Sequence, residues 1–119
     1  MDGNNHMQTI CIKTKLKKGS LNEVREWFAT LKRRLDEVKE TLINECIVVE
    51  SAFLDKHGDD YFLIYYVKAE NINHAYEIFE KSTLPIDNYY REYWKKYCEG
   101  REVLEELLDV DRIEAPGSG

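Results

Sequence analysis

The chain has few cysteines and prolines, no long apolar run and no excess of positive charge. Its three cysteines, Cys11, Cys46 and Cys98, lie far apart and form no CxxC pair. This spacing disfavours a disulfide framework and a structural zinc site, which needs closely spaced Cys and His ligands. No apolar run reaches the ~20 residues of a membrane-spanning helix, and the start does not resemble a signal peptide. We therefore expect a cytoplasmic protein with no membrane partner and no structural metal.

Charge and motifs exclude further classes of function. Asp and Glu number 23 and Lys and Arg 17, which gives a formal net charge of −6. Because nucleic-acid binding needs a basic surface, no nucleic-acid partner is expected. A glycine-rich phosphate loop and the HExxH and GxSxG motifs are missing, so no familiar nucleotide, zinc-protease or serine-hydrolase site is predicted. No cofactor is predicted either, because His74 lacks the neighbouring ligand that would support haem or metal binding.

The most informative stretch that is present runs from Cys46 to Lys68 and predicts a β-hairpin. Two runs rich in β-branched and aromatic residues flank a polar turn, in which Gly58 supplies the positive φ of a short loop. Both faces of both strands are apolar, whereas a hairpin open to water should alternate. We infer that both faces of the sheet are covered. The predicted faces of the first strand are Ile47, Val49 and Phe53 on one side and Val48, Ala52 and Leu54 on the other.

The rest of the chain predicts one domain at residues 8–113, with tails at 1–7 and 114–119. Alternation predicts a first strand at Gln8–Leu16. Helical spacing predicts one long helix that begins with a capping box at Ser20 and ends near Asn44 or Glu45. A shorter helix is expected from Asn71 to about Lys81, followed by a loop that contains Pro85.

Two more elements complete the predicted domain. Asp87 is expected to cap an aromatic helix that stops at Gly100. A last strand is preferred from about Val103 or Glu106 onward, although a helix fits the same pattern. The order β-α-β-β-α-(α)-β predicts an α+β, ferredoxin-like domain with a four-stranded antiparallel sheet and an extra helix. Two helices cover one face, and we expect a second copy of the chain to cover the other, which makes a two-fold homodimer.

Several motifs resemble a family of small bacterial proteins within the dimeric α/β-barrel, ferredoxin-like group. The likeness runs from about Gln8 to Cys98. It implies the fold and the dimer but no established reaction, because the wider group includes cofactor-free monooxygenases, haem-binding degradative enzymes and stress-response proteins. The family pattern has a His where this chain has Tyr90, which weakens any acid–base role there. The motifs are Arg34-Leu35-Asp36-Glu37-Val38, Thr41-Leu42, Val49-Glu50-Ser51 and the segment from Ser82 through Asp87 to Glu92.

Glu50 is the residue most suggestive of function. It lies mid-strand between apolar neighbours, in a sheet expected to be covered on both faces. A buried carboxylate needs a partner or acquires a raised pKa. We interpret Glu50 as a base or hydrogen-bond acceptor that lines the barrel pocket. The structural alternatives are that it pairs with an arginine such as Arg34 or Arg91, or that it lies near a strand edge.

Other polar residues join Glu50 in the predicted pocket, and each has a structural alternative. Arg34 and Glu37 lie one turn apart, which is typical of an ion pair on a helix surface. The alternative, for the stripe that they form with Thr41, is a polar contact to the Ser82–Asp87 loop. Asp87 is typical of a helix N-cap, and tyrosines suit a dimer interface as well as a pocket. The predicted pocket residues are Arg34, Glu37, Glu50, Tyr66, Ser82, Asp87 and Tyr90.

These patterns together favour a homodimeric α/β-barrel protein that binds a small organic ligand within the barrel. The absence of a catalytic motif favours a protein that is not an enzyme. The alternative is a cofactor-independent monooxygenase-like or isomerase-like enzyme acting on an aromatic or polyketide-like molecule. In that case Glu50, Tyr66, Asp87 and Tyr90 should meet around one cavity.

Overall fold

A computed structural model describes residues 7–113 of the chain. Both predicted tails lie outside these residues, except for Met7, which is buried. The elements, in order, are β1 (Gln8–Leu16), α1 (Leu21–Arg33), α2 (Leu35–Asn44), β2 (Ile47–His57), β3 (Asp60–Ala69), α3 (Ile72–Lys81), α4 (Pro85–Tyr97) and β4 (Cys98–Val103).

The four strands form one antiparallel sheet in the order β2-β3-β1-β4. This is the ferredoxin-like topology, and it confirms the predicted α+β fold class. The helices cover one face, which we call the inner face. The core lies between the two layers and contains Ile12, Leu63 and Val67 of the sheet and Val24 and Trp27 of α1.

The side chains of the strands alternate as the sequence predicts, with one exception in β2. Its register shifts between Ile47 and Val49, so that Ile47 pairs with Ala69 and Glu50 pairs with Val67. A bulge adds one residue and turns the side chains before it to the other face. Ile47 therefore packs against the core and shares the inner face with Glu50, so its predicted grouping with Val49 was wrong.

An aromatic cluster fixes α1 and α4 against the sheet. Trp27 is fully buried, and its ring lies 5.5 Å from Tyr90 and 6.4 Å from Trp94, both in edge-on geometry. Tyr65 of β3 lies 5.7 Å from the Tyr90 ring. Such edge-on pairs add to the free energy gained by burying the rings. The aromatic helix therefore packs on the inner face within one chain.

The predicted long helix is interrupted at Arg34. This residue has φ −112° and ψ 36°, which ends α1 and begins α2. The predicted capping box at Ser20 is also wrong. The Ser20 hydroxyl donates to the Lys17 carbonyl at 2.7 Å, and no side-chain cap bond forms.

The two C-terminal elements begin earlier than the sequence predicts. Helix α4 starts at Pro85, with Leu84 extended before it, because proline is well tolerated in the first turn of a helix. Asp87 therefore lies inside the first turn and is not the N-cap. Strand β4 is Cys98–Val103 instead of a strand from Val103 or Glu106, since the chain joins the sheet directly after α4.

Residues 104–113 continue across the outer face of the sheet, opposite the helices. The Leu104 amide donates to the Cys11 carbonyl at 2.9 Å. The Lys68 ammonium, whose residue is 3% exposed, pairs with Asp109 at 2.6 Å and with Asp111. The hydrogen bonds that the Lys68 ammonium donates to these two carboxylates raise the pKa of Lys68. The chain therefore covers one end of its own outer face.

Candidate functional site

A cavity of about 450 Å³ lies between the inner face of the sheet and the helices. Its walls are mostly apolar and aromatic, because the amphipathic helices and the alternating strands turn these side chains toward one another. The main wall residues are Ile12, Leu31, Val38, Ile72, Phe79, Ile86, Tyr65, Tyr90 and Trp94.

Four carboxyl residues of the described chain line this cavity; Glu80 is exposed on α3, and the other three, which we call the carboxyl cluster, come together from different parts of the fold. Glu45 follows α2, Glu50 lies in β2, and Asp87 lies in the first turn of α4. Glu45 is 5% exposed and Asp87 is 2% exposed. No Lys, Arg or His within residues 7–113 forms an ion pair with any of the three. A buried carboxylate without a cation must find hydrogen bonds or keep its proton.

Thr41 connects two of these carboxyl groups. Its Oγ1 lies 2.8 Å from Glu45 Oε2, and 2.9 Å and 2.8 Å from the two oxygens of Asp87. The Ser82 hydroxyl also donates to Asp87 Oδ2 at 2.5 Å. The helical spacing of Thr41 and Glu45 places both at the same end of the cavity. Asp87 is thus held by hydroxyl groups from two other elements.

Burial changes the acidity of Glu45. Desolvation is the largest effect and raises the pKa of its carboxyl group to about 7, although the hydrogen bond from Thr41 opposes the shift. The negative charges of Asp87 and Glu50 raise this pKa further. A carboxyl group that titrates near neutral pH can give or take a proton under ordinary conditions.

Glu50 is the second carboxyl group with altered acidity. Burial raises its pKa, a hydrogen bond with Tyr65 opposes this, and the charge of Asp87 adds to it. Tyr65 is also hydrogen-bonded to Tyr90, and burial raises the pKa of both phenols. Because a carboxylate can only accept, the Tyr65 hydroxyl donates to Glu50 when Glu50 is ionised. Its oxygen then remains free to accept from Tyr90.

Among the described residues, three basic ones also line the cavity, namely Arg91, Lys95 and Arg101. The two arginines are hydrogen-bonded to groups other than the carboxyl cluster. Arg91 donates to the Phe79 carbonyl at 2.5 Å and to the Ser82 carbonyl at 2.7 Å. Arg101 donates to the Tyr76 hydroxyl at 2.8 Å. These bonds tie α4 to the end of α3 and β4 to the middle of α3, and they leave the inner end of the cavity acidic.

The structure brings together only part of the residue set predicted from sequence. Glu50, Asp87 and Tyr90 line the cavity. Ser82 is not a lining residue, but its hydroxyl donates a hydrogen bond to Asp87. The suggested pairing of Glu50 with an arginine is wrong, since its partner is Tyr65.

Three predicted pocket residues lie elsewhere. Tyr66 follows Tyr65 in β3 and therefore points to the outer face. Arg34 and Glu37 form an ion pair at 2.8 Å outside the cavity, the structural alternative considered for them. The Arg34 guanidinium also lies 5.6 Å from the Tyr89 ring.

Sequence reasoning missed Glu45 and Tyr65 as cavity residues. The sequence pattern predicts Glu45 only as the end of a helix. Thr41 is not among the predicted pocket residues, but its contact with Asp87 is the polar contact to the Ser82–Asp87 loop that was the alternative for its helix stripe. Glu50 and Tyr65 share the inner face because the hairpin pairs Glu50 with Val67 and Ala52 with Tyr65, a register that the strand pattern alone does not fix.

Two negative findings apply to the described part of the chain. Within residues 7–113, no group of three or more His, Cys, Asp and Glu side chains has the arrangement of a metal site. The helices of the same range fall short of the length and apolarity that would cross a bilayer.

One solved structure supports the assignment of the architecture. The chain is similar to the L-rhamnose mutarotase of Formosa agariphila, with 17% identity, a TM-score of 0.57, and coverage of 87% of this chain and 99% of that one. A Bacillus cereus protein described as an antibiotic biosynthesis monooxygenase has 14% identity, a TM-score of 0.47, and coverage of 91% and 98%. The second likeness is too weak to support an inference, and the first shows the fold alone.

Comparison at the level of sequence gives the family. None of the curated proteins matches the chain significantly. A family model described as "Family of unknown function (DUF6176)" matches residues 7–115, nearly the whole chain. The protein therefore belongs to the DUF6176 family, and its fold is the ferredoxin-like fold that its motifs implied.

Proposed function

We propose that this protein binds a small organic molecule in the cavity between sheet and helices. The observation that supports this proposal is the cavity itself. Its volume of about 450 Å³ lies within the range of ligand sites in proteins. Ligand sites combine apolar walls with a few converging polar groups. Here the aromatic and aliphatic walls would hold the body of the ligand, and the carboxyl cluster would hold one polar end.

The balance of polar and apolar groups narrows the class of ligand. An anion at the inner end would meet the carboxyl groups of Glu45, Glu50 and Asp87, none of which is ion-paired with a cation among the described residues, so an anion is disfavoured there. A sugar would leave most of its hydroxyl groups against apolar walls, where they would lose hydrogen bonds to water. Because the mutarotase shares the fold alone, its substrate does not transfer. The ligand we propose is uncharged, largely apolar and has one polar group.

Filling the cavity should abolish binding without unfolding the protein. Ala75 is 3% exposed and lies on the cavity wall, so we expect Ala75→Phe to occupy the space of the ligand. A screen of neutral aromatic ketones, alcohols and amides by thermal shift should give hits with the wild type that this variant loses. The control is Asn73→Phe on the exposed side of the same helix. Hits that survive Ala75→Phe would contradict the cavity as the binding site.

We also propose that the protein forms a homodimer through the outer face of its sheet. The side chains of Cys11, Phe53, Ile64 and Tyr66 lie on this face, and Phe53 is 61% exposed. The outer face therefore carries aromatic and branched side chains that residues 104–113 do not fully cover. Two copies related by a two-fold axis would cover it with the same surface on each side.

A charge on this face should separate the subunits. We expect Phe53→Asp to convert a dimer into a monomer, because each copy would bury an unpaired carboxylate in the interface. Light scattering coupled to size exclusion measures the mass directly. Leu35→Asp provides the control, since Leu35 is 49% exposed on α2 and not on the outer face. A wild-type monomer at micromolar concentration would contradict the dimer.

A further inference from the structure

The hydrogen bonds around Thr41 need one more proton than its hydroxyl can supply. Thr41 Oγ1 is within 2.9 Å of oxygens from both Asp87 and Glu45. A hydroxyl group donates one hydrogen bond only. If Thr41 donates to one carboxylate, the 2.8 Å contact with the other places two oxygens together with no proton between them. One of the two carboxyl groups must therefore be protonated.

Asp87 is the better anion of the two. The Leu84 amide donates to the Ser82 oxygen at 3.2 Å, and the Ser82 hydroxyl donates to Asp87. Asp87 also lies in the first turn of α4, where the helix dipole favours negative charge. Thr41 accordingly donates to Asp87, and Glu45 donates its own proton to Thr41. Glu45 is the protonated member of the cluster.

Glu50 lies in a different setting on the same cavity wall. Among the hydrogen bonds of the described residues, it shares no hydroxyl group with a second carboxyl group, so the geometry does not oblige it to keep a proton. Burial raises the pKa of Glu50, and the neighbouring Tyr65 hydroxyl opposes this rise. The cavity therefore presents a carboxylic acid at Glu45 and, at Glu50, a second carboxyl group that is free to ionise. Two carboxyl groups held in different protonation states are the arrangement used for general acid–base catalysis.

We propose that the cavity catalyses proton transfer on an uncharged carbonyl compound, with Glu50 as the base and Glu45 as the acid. This rests on the ligand site proposed above. Glu50 takes a proton from the carbon next to the carbonyl, and the C–H electron pair forms a C=C bond. The π electron pair of the C=O bond moves to the oxygen, which takes the proton of Glu45. The products are an enol, a protonated Glu50 and an ionised Glu45.

The return step restores both residues. Glu45 takes the proton back from the enol oxygen, and Glu50 gives a proton to the same carbon or to a conjugated one. The sum is an exchange of the proton next to the carbonyl when the same carbon is reprotonated, or a shift of a double bond when a conjugated carbon is, and no oxidant or other reactant is consumed. Thr41 and Tyr65 act as positioning residues, since each holds the protonation state of its carboxyl neighbour.

Deuterium exchange into a simple ketone tests this proposal. The probe is 2-tetralone in D2O, with loss of its α-proton signals followed by ¹H NMR. We expect the wild type to exchange these protons faster than buffer alone. Glu50→Gln and Glu45→Gln should each lower the catalysed rate by about 100-fold or more, the usual contribution of a general acid or base. Glu40→Gln, on the exposed side of α2, should leave the rate unchanged.

The pH profile gives a second readout. The catalysed rate should fall as pH rises through about 7, because Glu45 then loses its proton. The charged groups that face it are Asp87 from α4 and Glu50 from β2. Tyr65→Phe should lower the rate even if Glu50→Gln does not fold, since it removes the hydroxyl group beside Glu50 and leaves the carboxyl group in place.

The outcomes separate this proposal from the ligand site. In one outcome, 2-tetralone raises the melting temperature of the wild type, but the wild type exchanges deuterium no faster than the Glu45→Gln/Glu50→Gln double variant. This result would contradict the proton-transfer proposal and leave the ligand site supported. If 2-tetralone does not bind up to its solubility limit, the proposed apolar ligand site is itself contradicted. Exchange that is fast in the wild type and lost in both single variants supports both proposals.

Discussion

Replacing Trp27 by alanine should lower the free energy of unfolding by about 3–5 kcal/mol, the usual range for a fully buried large aromatic side chain. Trp27 is 0% exposed and joins α1 to the aromatic side of α4 and to the core of the sheet. Its ring contacts Phe28, Tyr90, Tyr93 and Trp94. Truncation would leave a cavity that these rings cannot close without moving the wall of the ligand site. The loss is large relative to the stability of an ordinary domain.

Urea denaturation followed by circular dichroism measures this effect. Trp27→Phe is the informative companion, because Trp27 Nε1 is buried without a hydrogen-bond partner among the described residues. Trp27→Phe removes this unpaired donor, which should offset part of the stability lost with the smaller ring. The fall in the free energy of unfolding should therefore be clearly smaller than for Trp27→Ala. The surface control is Leu35→Ala, where a change within about 0.5 kcal/mol is expected. A similarly small change for Trp27→Ala would show that Trp27 does not hold α1 and α4 together.

The second large effect is a fall in stability as pH rises from about 5 to 8. Glu45 has a pKa of about 7 in the folded protein against an ordinary value of 4.5. The contribution of Glu45 to the free energy of unfolding is therefore complete below pH 4.5 and is lost as pH rises through 7. The reason is that the unfolded chain releases this proton at a lower pH than the folded protein does. Each pH unit of this window is worth about 1.4 kcal/mol, so the loss is about 3 kcal/mol. Burial raises the pKa of Glu50 as well, which adds in the same direction.

The measurement is the free energy of unfolding at several pH values, compared between the wild type and Glu45→Gln. Glutamine keeps the size of the side chain and can still hydrogen-bond to Thr41, but it cannot ionise. We expect the variant to lose most of the pH dependence and to exceed the wild type in stability at pH 8. Glu40→Gln, the exposed neighbour in α2, should keep the wild-type slope. Equal slopes for the wild type and Glu45→Gln would show that Glu45 ionises normally and would contradict the acidity assigned to it.

Much of the fold could be predicted from sequence because it depends on local patterns. Alternation located β1 and the hairpin, and Gly58 indeed has a positive φ of 64°. Asn71 caps α3 as expected, with its side chain accepting from the His74 amide at 2.8 Å. The errors lie where a single backbone angle decides. Arg34 interrupts a continuous apolar pattern, and Leu84–Pro85 begins a helix where proline was expected to keep a loop.

The candidate site was harder to predict because it depends on contacts between distant residues. Glu50 was identified from a local conflict, a carboxyl group within an apolar strand. Glu45 gave no such signal, since a Glu at the end of a helix is normally exposed and this one is 5% exposed. Its burial depends on α4, whose Asp87 lies 46 residues from Thr41 in the chain. A residue pattern cannot show that three elements bring their carboxyl groups together.

The central claim is that a small neutral molecule occupies the cavity with its polar group at the carboxyl cluster. The most direct measurement is a ¹⁵N and ¹³C NMR titration of the protein with 2-tetralone. We predict saturable shifts at Ile72, Ala75 and Tyr65, together with a changed pKa for the Glu45 carboxyl carbon. Shifts confined to the outer-face residues Phe53 and Ile64, or no saturable shifts at all, would contradict the claim.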